Sequence, residues 1–212
     1  MYDIASRMAK FLVCEVGLEQ SKVDTVRFGL EIILGEFIKW TILLCAAALL
    51  GVLPGALFAM VSMGLFRLVS GGAHCEDYWR CLTFGIIVFL GAGKLGVYIE
   101  PYISQPVLVK ILVVGSVVMV LSVLIWAPGE VTNRKVKTGE RGLFKRLSLL
   151  YLAIWTSVTM FIVVPYNVPV AVAGFLAMMV QSFSFTPPGY WVIDGFDIVL
   201  SRILGERRCS HA

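Results

Sequence analysis

Charged residues are scarce in this 212-residue sequence: only 15% of its residues are Asp, Glu, Lys or Arg, and 58% are hydrophobic. A typical soluble domain is about 45–50% apolar and about 25% charged. The mean hydropathy of +0.87 therefore excludes an ordinary soluble globular domain. We expect the lipid bilayer to be the surroundings of this chain, and we expect no nucleic-acid partner.

Two further features are missing. The five cysteines are odd in number and follow no framework spacing, so a disulfide scaffold is not indicated and reduced thiols are expected. The N-terminus has no uninterrupted apolar core, which argues against a cleavable signal peptide. Its apolar residues instead recur at helical spacing, which predicts an amphipathic helix on a membrane surface or packed on the protein's own cytosolic side: Ile4, Met8, Phe11, Leu12 and Val16.

Long hydrophobic runs make up most of the remaining sequence. Runs of this length match a hydrocarbon core about 30 Å thick. We predict an all-α, polytopic integral membrane protein with about six transmembrane helices, at residues 37–53, 55–70, 82–98, 107–126, 147–164 and 168–186. The whole chain, 1–212, is predicted to be one membrane-embedded domain, in which an N-terminal helical segment (1–36), a transmembrane core (37–186) and a cytosolic tail helix (187–212) follow one another. Ser21 and Asp24 resemble a helix cap, so the first span can extend upstream.

Basic residues set the predicted orientation. Six of them lie in the loop at 127–146, whereas the turns at 51–55, 99–106 and 164–169 contain neither Lys nor Arg. Because basic loops stay on the cytoplasmic side, this loop, the N-terminus, the break at 70–80 and the tail are predicted to face the cytoplasm. The six basic residues are Arg134, Lys135, Lys137, Arg141, Lys145 and Arg146.

The break between the second and third spans reads SGGAHCEDYWRC, residues 70–81, and contains the only histidine that is not next to the C-terminus. Gly71 and Gly72 are expected to end the second span and to let the backbone fold back. Folding back is needed because residues seven apart on a helix are separated by about 10.5 Å along its axis. We therefore predict His74 on a turn and Cys81 in the first turns of the third span, with Asp77 or Glu76 near its cap.

A cysteine and a histidine in this setting favour a nucleophilic thiolate. An imidazolium and a helix N-terminus both favour the ionised thiol, and the imidazole can later give a proton to a leaving amine. Two other interpretations stay open at this point: a buried thiol with a capping imidazole, and a metal site formed by His74, Cys75, Glu76 and Cys81. The spacing fits none of the usual zinc patterns, so we expect neither metal nor cofactor.

Four stretches of the sequence resemble the accessory gene regulator B family, the membrane endopeptidases that process quorum-sensing propeptides of Gram-positive bacteria. They are Arg67 to His74 followed by Cys81, Arg27 to Glu31, residues 127–135, and Gln181 to Pro187. The resemblance implies that Cys81 is the catalytic nucleophile and His74 its base and acid. The chain departs from the family at Cys75, where a small residue is common, and this second thiol is either a bystander or a rival nucleophile.

The resemblance also implies a reaction, a place and partners. A cysteine peptidase of this family cuts the C-terminal tail from a short autoinducer propeptide, holds the rest as a thioester at Cys81, and releases a cyclic lactone or thiolactone peptide. The enzyme would be a homodimer in the cell membrane of a Gram-positive bacterium, with its catalytic residues on the cytoplasmic side. The ring size and the ring chemistry are not predictable from this sequence.

Supporting roles are predicted for several other residues. Arg134, Lys135 and Lys137 would bind the acidic propeptide tail, or would only enforce topology and contact anionic lipids. Glu31 would orient His74, or would form an ion pair with Arg27 or Arg67. Arg67 would reach the membrane interface or bind a substrate carboxylate, while two aspartates of the tail, Asp194 and Asp197, are interpreted as surface charges.

Two other classes of function are compatible with a six-span protein. A transporter would export the signal peptide without cutting it, although charged residues in mid-membrane, which such pathways usually need, are not evident. A scaffold would only anchor partner proteins. Replacing Cys81 with Ser distinguishes these classes, because only an enzyme would lose its function.

Overall fold

The computed structural model describes residues 2–17, 19–73, 77–129 and 139–203, and the regular elements in these ranges are all helices. His74, Arg134, Lys135 and Lys137 lie outside the described residues. The helices are α1 (Tyr2–Val16), α2 (Val23–Leu49), α3 (Leu53–Ser70), α4 (Tyr78–Ile99), α5 (Gln105–Trp126), α6 (Arg141–Val158), α7 (Val164–Tyr166), α8 (Val168–Ser184) and α9 (Pro187–Ile203).

Five helical segments are long and apolar enough to cross a membrane: Val23–Leu49, Leu53–Ser70, Tyr78–Tyr102, Gln105–Trp126 and Arg141–Tyr166. Helices α8 and α9, which are bent by 98° where they meet, make a sixth candidate if they count as one broken span. A helix of 22 residues such as α5 is about 33 Å long, which matches the hydrocarbon core. The prediction of an all-α, multi-pass membrane fold is confirmed.

The chain divides into two compact units within α2, one comprising Met1–Ala46 and the other Ala47–Ala212. In the first unit, the predicted N-terminal helix is present as α1, and the five apolar residues of its predicted apolar face are exposed: Ile4, Met8, Phe11, Leu12 and Val16. Helix α2 begins well upstream of residue 37, which agrees with the expectation that the first span can extend upstream. The predicted cap differs, because the Ser21 hydroxyl donates to the Glu19 carboxylate at 3.2 Å.

In the second unit, α8 packs against α3, α4 and α5. Small residues allow this close packing, and four of them on α8 are buried: Ala171, Ala173, Gly174 and Ala177. A side chain at Gly174 would collide with the ring of Phe58 on α3. Larger side chains close the core towards the end of the bundle at which α3 ends and α4 begins: Phe66, Met119, Met178 and Phe185.

A sharp corner joins α8 to α9. The Thr186 hydroxyl accepts a hydrogen bond from the Gly189 N–H at 3.2 Å, and Pro187 and Pro188 occupy the first two positions of α9. Proline suits the start of a helix because the first N–H groups of a helix have no intrahelical acceptor. Proline also disfavours helical geometry at the residue before it, which helps to end α8. A side chain at Gly189 would overlap the carbonyl group of Phe183. These residues therefore end α8 and start α9 in a new direction.

Candidate active site

Cys81 lies in the first turns of α4, as predicted. Asp77 caps this helix, because its carboxylate accepts a hydrogen bond from the Trp79 N–H at 2.8 Å. The Cys81 N–H donates to the Asp77 carbonyl at 3.0 Å, which is the first intrahelical bond of the turn. The side chain is half-buried and present as a thiol. The predicted position of Cys81 is confirmed, and of the two residues predicted near the cap, Asp77 and Glu76, Asp77 is the cap residue.

The segment that leads from α3 towards His74 is Ser70–Ala73. Gly71 ends α3 with a φ of 68°, and its N–H still donates to the Arg67 carbonyl at 3.0 Å. Gly72 follows with a φ of 132°. Both values lie in the left-handed region that favours glycine. The prediction that the glycine pair ends the second span is therefore confirmed.

The side chain of Gln181, on α8, holds this segment. It is fully buried, and its amide nitrogen donates to the Ser70 hydroxyl at 3.2 Å and to the Gly71 carbonyl at 2.7 Å. Its amide oxygen accepts a hydrogen bond from the Arg67 guanidinium at 3.4 Å. One buried amide thus connects the end of α3 with the segment that follows it.

Ala73, the last described residue before His74, is held from both sides. Its N–H donates to the Ser184 carbonyl at 3.2 Å, and its carbonyl accepts a hydrogen bond from the Arg67 guanidinium. We refer to this arrangement of Arg67, Ser70, Gly71, Ala73, Gln181 and Ser184 as the Gln181 clamp. The clamp fixes the backbone up to the residue that precedes the predicted catalytic histidine.

Gly129, which follows α5, approaches the same segment. Its N–H donates to the Ser70 carbonyl at 2.8 Å, and Gly71 and Gly129 pair side by side. A side chain at Gly71 would collide with the Gly129 carbonyl, and one at Gly72 would collide with the Ser184 hydroxyl. The glycines are therefore needed for close approach as well as for their backbone conformation.

An ion pair is buried next to Cys81. The Arg80 guanidinium donates to the Asp197 carboxylate at 2.7 Å and to the Asp197 carbonyl at 3.3 Å, and the two residues are only 6% and 2% exposed. The interpretation of Asp197 as a surface charge is wrong. The reason is the corner after α8, which turns α9 so that one of its faces is buried: Gly189, Ile193, Asp197 and Ser201.

The other predicted supporting residues have partners of their own. In the first unit, Glu31 accepts a hydrogen bond from Arg27 at 3.1 Å, one turn earlier on α2, which is one of the alternatives considered for it. Arg67 belongs to the Gln181 clamp. Lys145, predicted to lie in the basic loop, is in α6 and donates to the carbonyl of Leu124 at 2.6 Å, near the C-terminal end of α5. A cation at this end of a helix stabilises it, so Lys145 has a structural contact.

Four predicted site residues lie outside the described ranges: His74, Arg134, Lys135 and Lys137. Cys75 and Glu76, which the metal-site interpretation also used, lie outside them too. The distance between His74 and Cys81 is therefore not part of the described geometry. The roles of these residues stay predictions.

Sequence reasoning missed two residues of this site. Gln181 was noted only as part of a resembling stretch, and Arg80 was not considered. Gln181 did carry a signal, because a lone amide in an apolar helix usually bonds to a neighbouring helix. The sequence offered little indication of the role of Arg80, because arginine is mostly exposed and nothing local predicts its burial. Its burial depends on α9, which approaches from far along the chain.

Comparison with known proteins supports the resemblance. The sequence profile of accessory gene regulator B matches residues 5–185. The "Putative AgrB-like protein" of Clostridium beijerinckii is 27% identical over 138 residues, which cover 65% of this chain and 66% of that protein, just under two thirds of its length. The "Putative AgrB-like protein 2" of Clostridium perfringens (strain 13 / Type A) is 21% identical over 168 residues, covering 77% and 78% respectively. No solved structure matches significantly.

Proposed function

Because this chain belongs to the accessory gene regulator B family, we propose that it is a membrane cysteine endopeptidase that matures a quorum-sensing propeptide. Its substrate is a short autoinducer propeptide of the accessory gene regulator D type, and its product is a cyclic lactone or thiolactone peptide. The observation that carries the proposal is the position of Cys81, a half-buried thiol in the first turns of a capped helix.

The start of α4 is a favourable place for a nucleophilic thiolate. The N-terminal end of a helix carries partial positive charge from its unpaired N–H groups, which favours an anion there. Asp77 satisfies one of these groups, the Trp79 N–H. Partial burial of Cys81 limits the access of water, and this matters because water competes with the intended acyl acceptor.

His74 is the proposed base and acid. It directly follows Ala73, a residue of the Gln181 clamp, in the sequence. Only three residues, His74 to Glu76, link Ala73 to the helix cap at Asp77. The clamp therefore supports a role for this short connection in presenting His74 to the thiol.

In the first step, the Cys81 sulfur attacks the carbonyl carbon of the residue that precedes the propeptide's C-terminal tail, and His74 accepts the thiol proton. The C–N bond then breaks, the leaving amine takes that proton from His74, and a thioester joins the propeptide to Cys81. In the second step, a cysteine or serine of the propeptide attacks the thioester carbonyl. The new bond closes the ring, His74 accepts the proton of the attacking thiol or hydroxyl, and the Cys81 sulfur leaves and regains a proton from His74.

The remaining parts of the proposal concern location and partners. The catalytic residues would lie on the cytoplasmic side of the membrane of a Gram-positive bacterium, and the enzyme would work as a homodimer. Arg134, Lys135 and Lys137 would attract the acidic propeptide tail. In this scheme Glu31 supports its own helix through Arg27, and an orienting contact with His74 stays a prediction.

The test is propeptide cleavage by the purified protein in nanodiscs, with variants at two thiols. Cys81→Ser is expected to abolish cleavage and the trapped thioester, whereas Cys45→Ser, an exposed thiol on α2, serves as the matched control and keeps both. Cleavage that survives in Cys81→Ser contradicts the proposal. If that variant instead moves an uncut peptide across vesicle membranes as the wild type does, the transporter interpretation replaces it.

A further inference from the structure

The buried ion pair between Arg80 and Asp197 has no part in the chemistry proposed so far. Arg80 directly precedes Cys81 on α4, and Asp197 lies on α9, beyond the residues that match the family profile. The Arg80 guanidinium contacts both the carboxylate and the backbone carbonyl of Asp197. An interaction made with both groups fixes the direction of the arginine side chain more tightly than a single contact would.

A second contact joins the same two helices. The rings of Phe84 and Phe196 meet edge to face, with centroids 5.5 Å apart. Arg80 and Phe84 are four residues apart and share one face of α4, while Phe196 and Asp197 are adjacent on α9. Two contacts on one face determine both the rotation of the first turns of α4 and their distance from α9.

The rotation of α4 determines where the Cys81 thiol points. Successive residues of an α-helix are about 100° apart around the axis, so the face that Arg80 turns towards α9 sets the direction of the next side chain. Both side chains of the pair are buried, and removing one member of a buried ion pair is costly because the contact lies in a low-dielectric setting. Buried ion pairs of this kind are best established as devices that fix register.

We propose that Asp197 is a positioning residue: through Arg80 it holds the first turns of α4 so that the Cys81 thiol faces the propeptide carbonyl. This inference rests on the proposed function and extends it to α9. A nucleophile must approach its carbonyl carbon within a narrow range of distance and angle, and a displacement of about 1 Å can lower the rate about a hundredfold. Loss of the pair therefore affects the chemical step rather than propeptide binding.

The first experiment measures propeptide cleavage by Asp197→Asn in nanodiscs, with Asp194→Asn as the matched control. Asp194 lies one turn earlier on α9 and is exposed. Asp197→Asn is expected to lower kcat about tenfold to a hundredfold with little change in KM, whereas Asp194→Asn leaves both unchanged. Asp197→Glu, which keeps the charge, is expected to recover much of the lost kcat.

The second experiment reads the thiol directly and needs no substrate. Iodoacetamide labelling is followed at each cysteine by mass spectrometry, and the limiting rate at alkaline pH, where every thiol is ionised, reports access to the sulfur alone. Asp197→Asn is expected to raise this limiting rate several-fold at Cys81 and to leave it unchanged at Cys14, an exposed thiol on α1 that lies outside the candidate membrane spans. A purely structural defect would change both thiols together.

The outcomes separate the two proposals. If the wild type cleaves no propeptide, the proposed function fails, and the labelling rates still decide whether Asp197 positions Cys81. If Asp197→Asn is folded and has wild-type kcat and wild-type labelling, the positioning role is overturned. It is also overturned if neither Asp197→Asn nor Asp197→Glu folds, because the pair is then required for the fold as a whole.

Discussion

The amide nitrogen of Gln181 lies 2.7 Å from the carbonyl oxygen of Gly71, and this contact ties α8 to the backbone that leads to His74. Gln181 is fully buried, so water cannot replace the hydrogen bond if it is lost. The same amide also bonds Ser70 and Arg67. A single side chain of α8 thus controls the end of α3.

We predict that Gln181→Leu destabilises the protein and impairs cleavage. Leucine has a similar volume but leaves the Gly71 carbonyl and the Arg67 guanidinium each short of one hydrogen bond, which costs about 2 kcal/mol. Thermal unfolding in detergent measures the stability, and propeptide cleavage measures the activity. Gln105→Leu, at an exposed position at the start of α5, is the control. Equal melting temperatures for the two variants would contradict a role for the clamp.

We predict that Gly71→Ala is destabilising, whereas Gly64→Ala, within the helix α3 that Gly71 ends, is not. Alanine at Gly71 would adopt an unfavourable φ and collide with the Gly129 backbone, at a cost of about 1–3 kcal/mol. Gly64 is helical, and a side chain there meets nothing within 4 Å. Alanine at Gly64 is expected to be neutral or stabilising, because glycine is the poorer helix former. The two melting temperatures, measured side by side, test this contrast, and a stable, active Gly71→Ala protein would show that the segment can move.

The sequence was sufficient to predict the helices because their apolar runs and their Gly and Pro breaks are local signals. It was also sufficient to place Cys81 and its cap, since Asp77 lies just before an apolar helix. Asp197 could not be interpreted correctly in the same way. Its burial depends on the 98° bend between α8 and α9 and on Arg80, which is 117 residues away in the sequence. Local sequence patterns contain no information about a contact between residues so far apart in the chain.

Only the local part of the Gln181 clamp, the glycine pair, was predictable from the sequence. The glycine pair predicted a turn, but two groups that hold this turn come from elsewhere in the chain: Gly129, which follows α5, and the Ser184 carbonyl on α8. The sequence therefore predicted a flexible connection, and packing converts it into a fixed one. Residues whose role arises from several distant helices are those that a single sequence identifies least well.

We predict that Cys75→Ser keeps most of the propeptide cleavage. The proposed nucleophile is Cys81, which lies in the first turns of α4, and the family resemblance assigns the catalytic position to it. The measurement is single-turnover cleavage, with mass spectrometric identification of the cysteine that carries the acyl group. An acyl group found on Cys75 of the wild type would move the nucleophile six residues towards the N-terminus and overturn the assignment.

We predict that replacing Arg134, Lys135 and Lys137 together with Gln raises KM for the propeptide and leaves kcat nearly unchanged. If these residues attract the acidic tail, their loss weakens binding and also reduces the dependence of KM on salt, because screening acts on the attraction between charges. The matched control replaces Arg7, Lys10 and Lys22 with Gln, which removes the same charge from exposed positions in the first unit. An equal rise of KM in both triple variants would indicate a general effect of net charge. An unchanged KM in the loop variant would leave the loop only its role in topology and lipid contact.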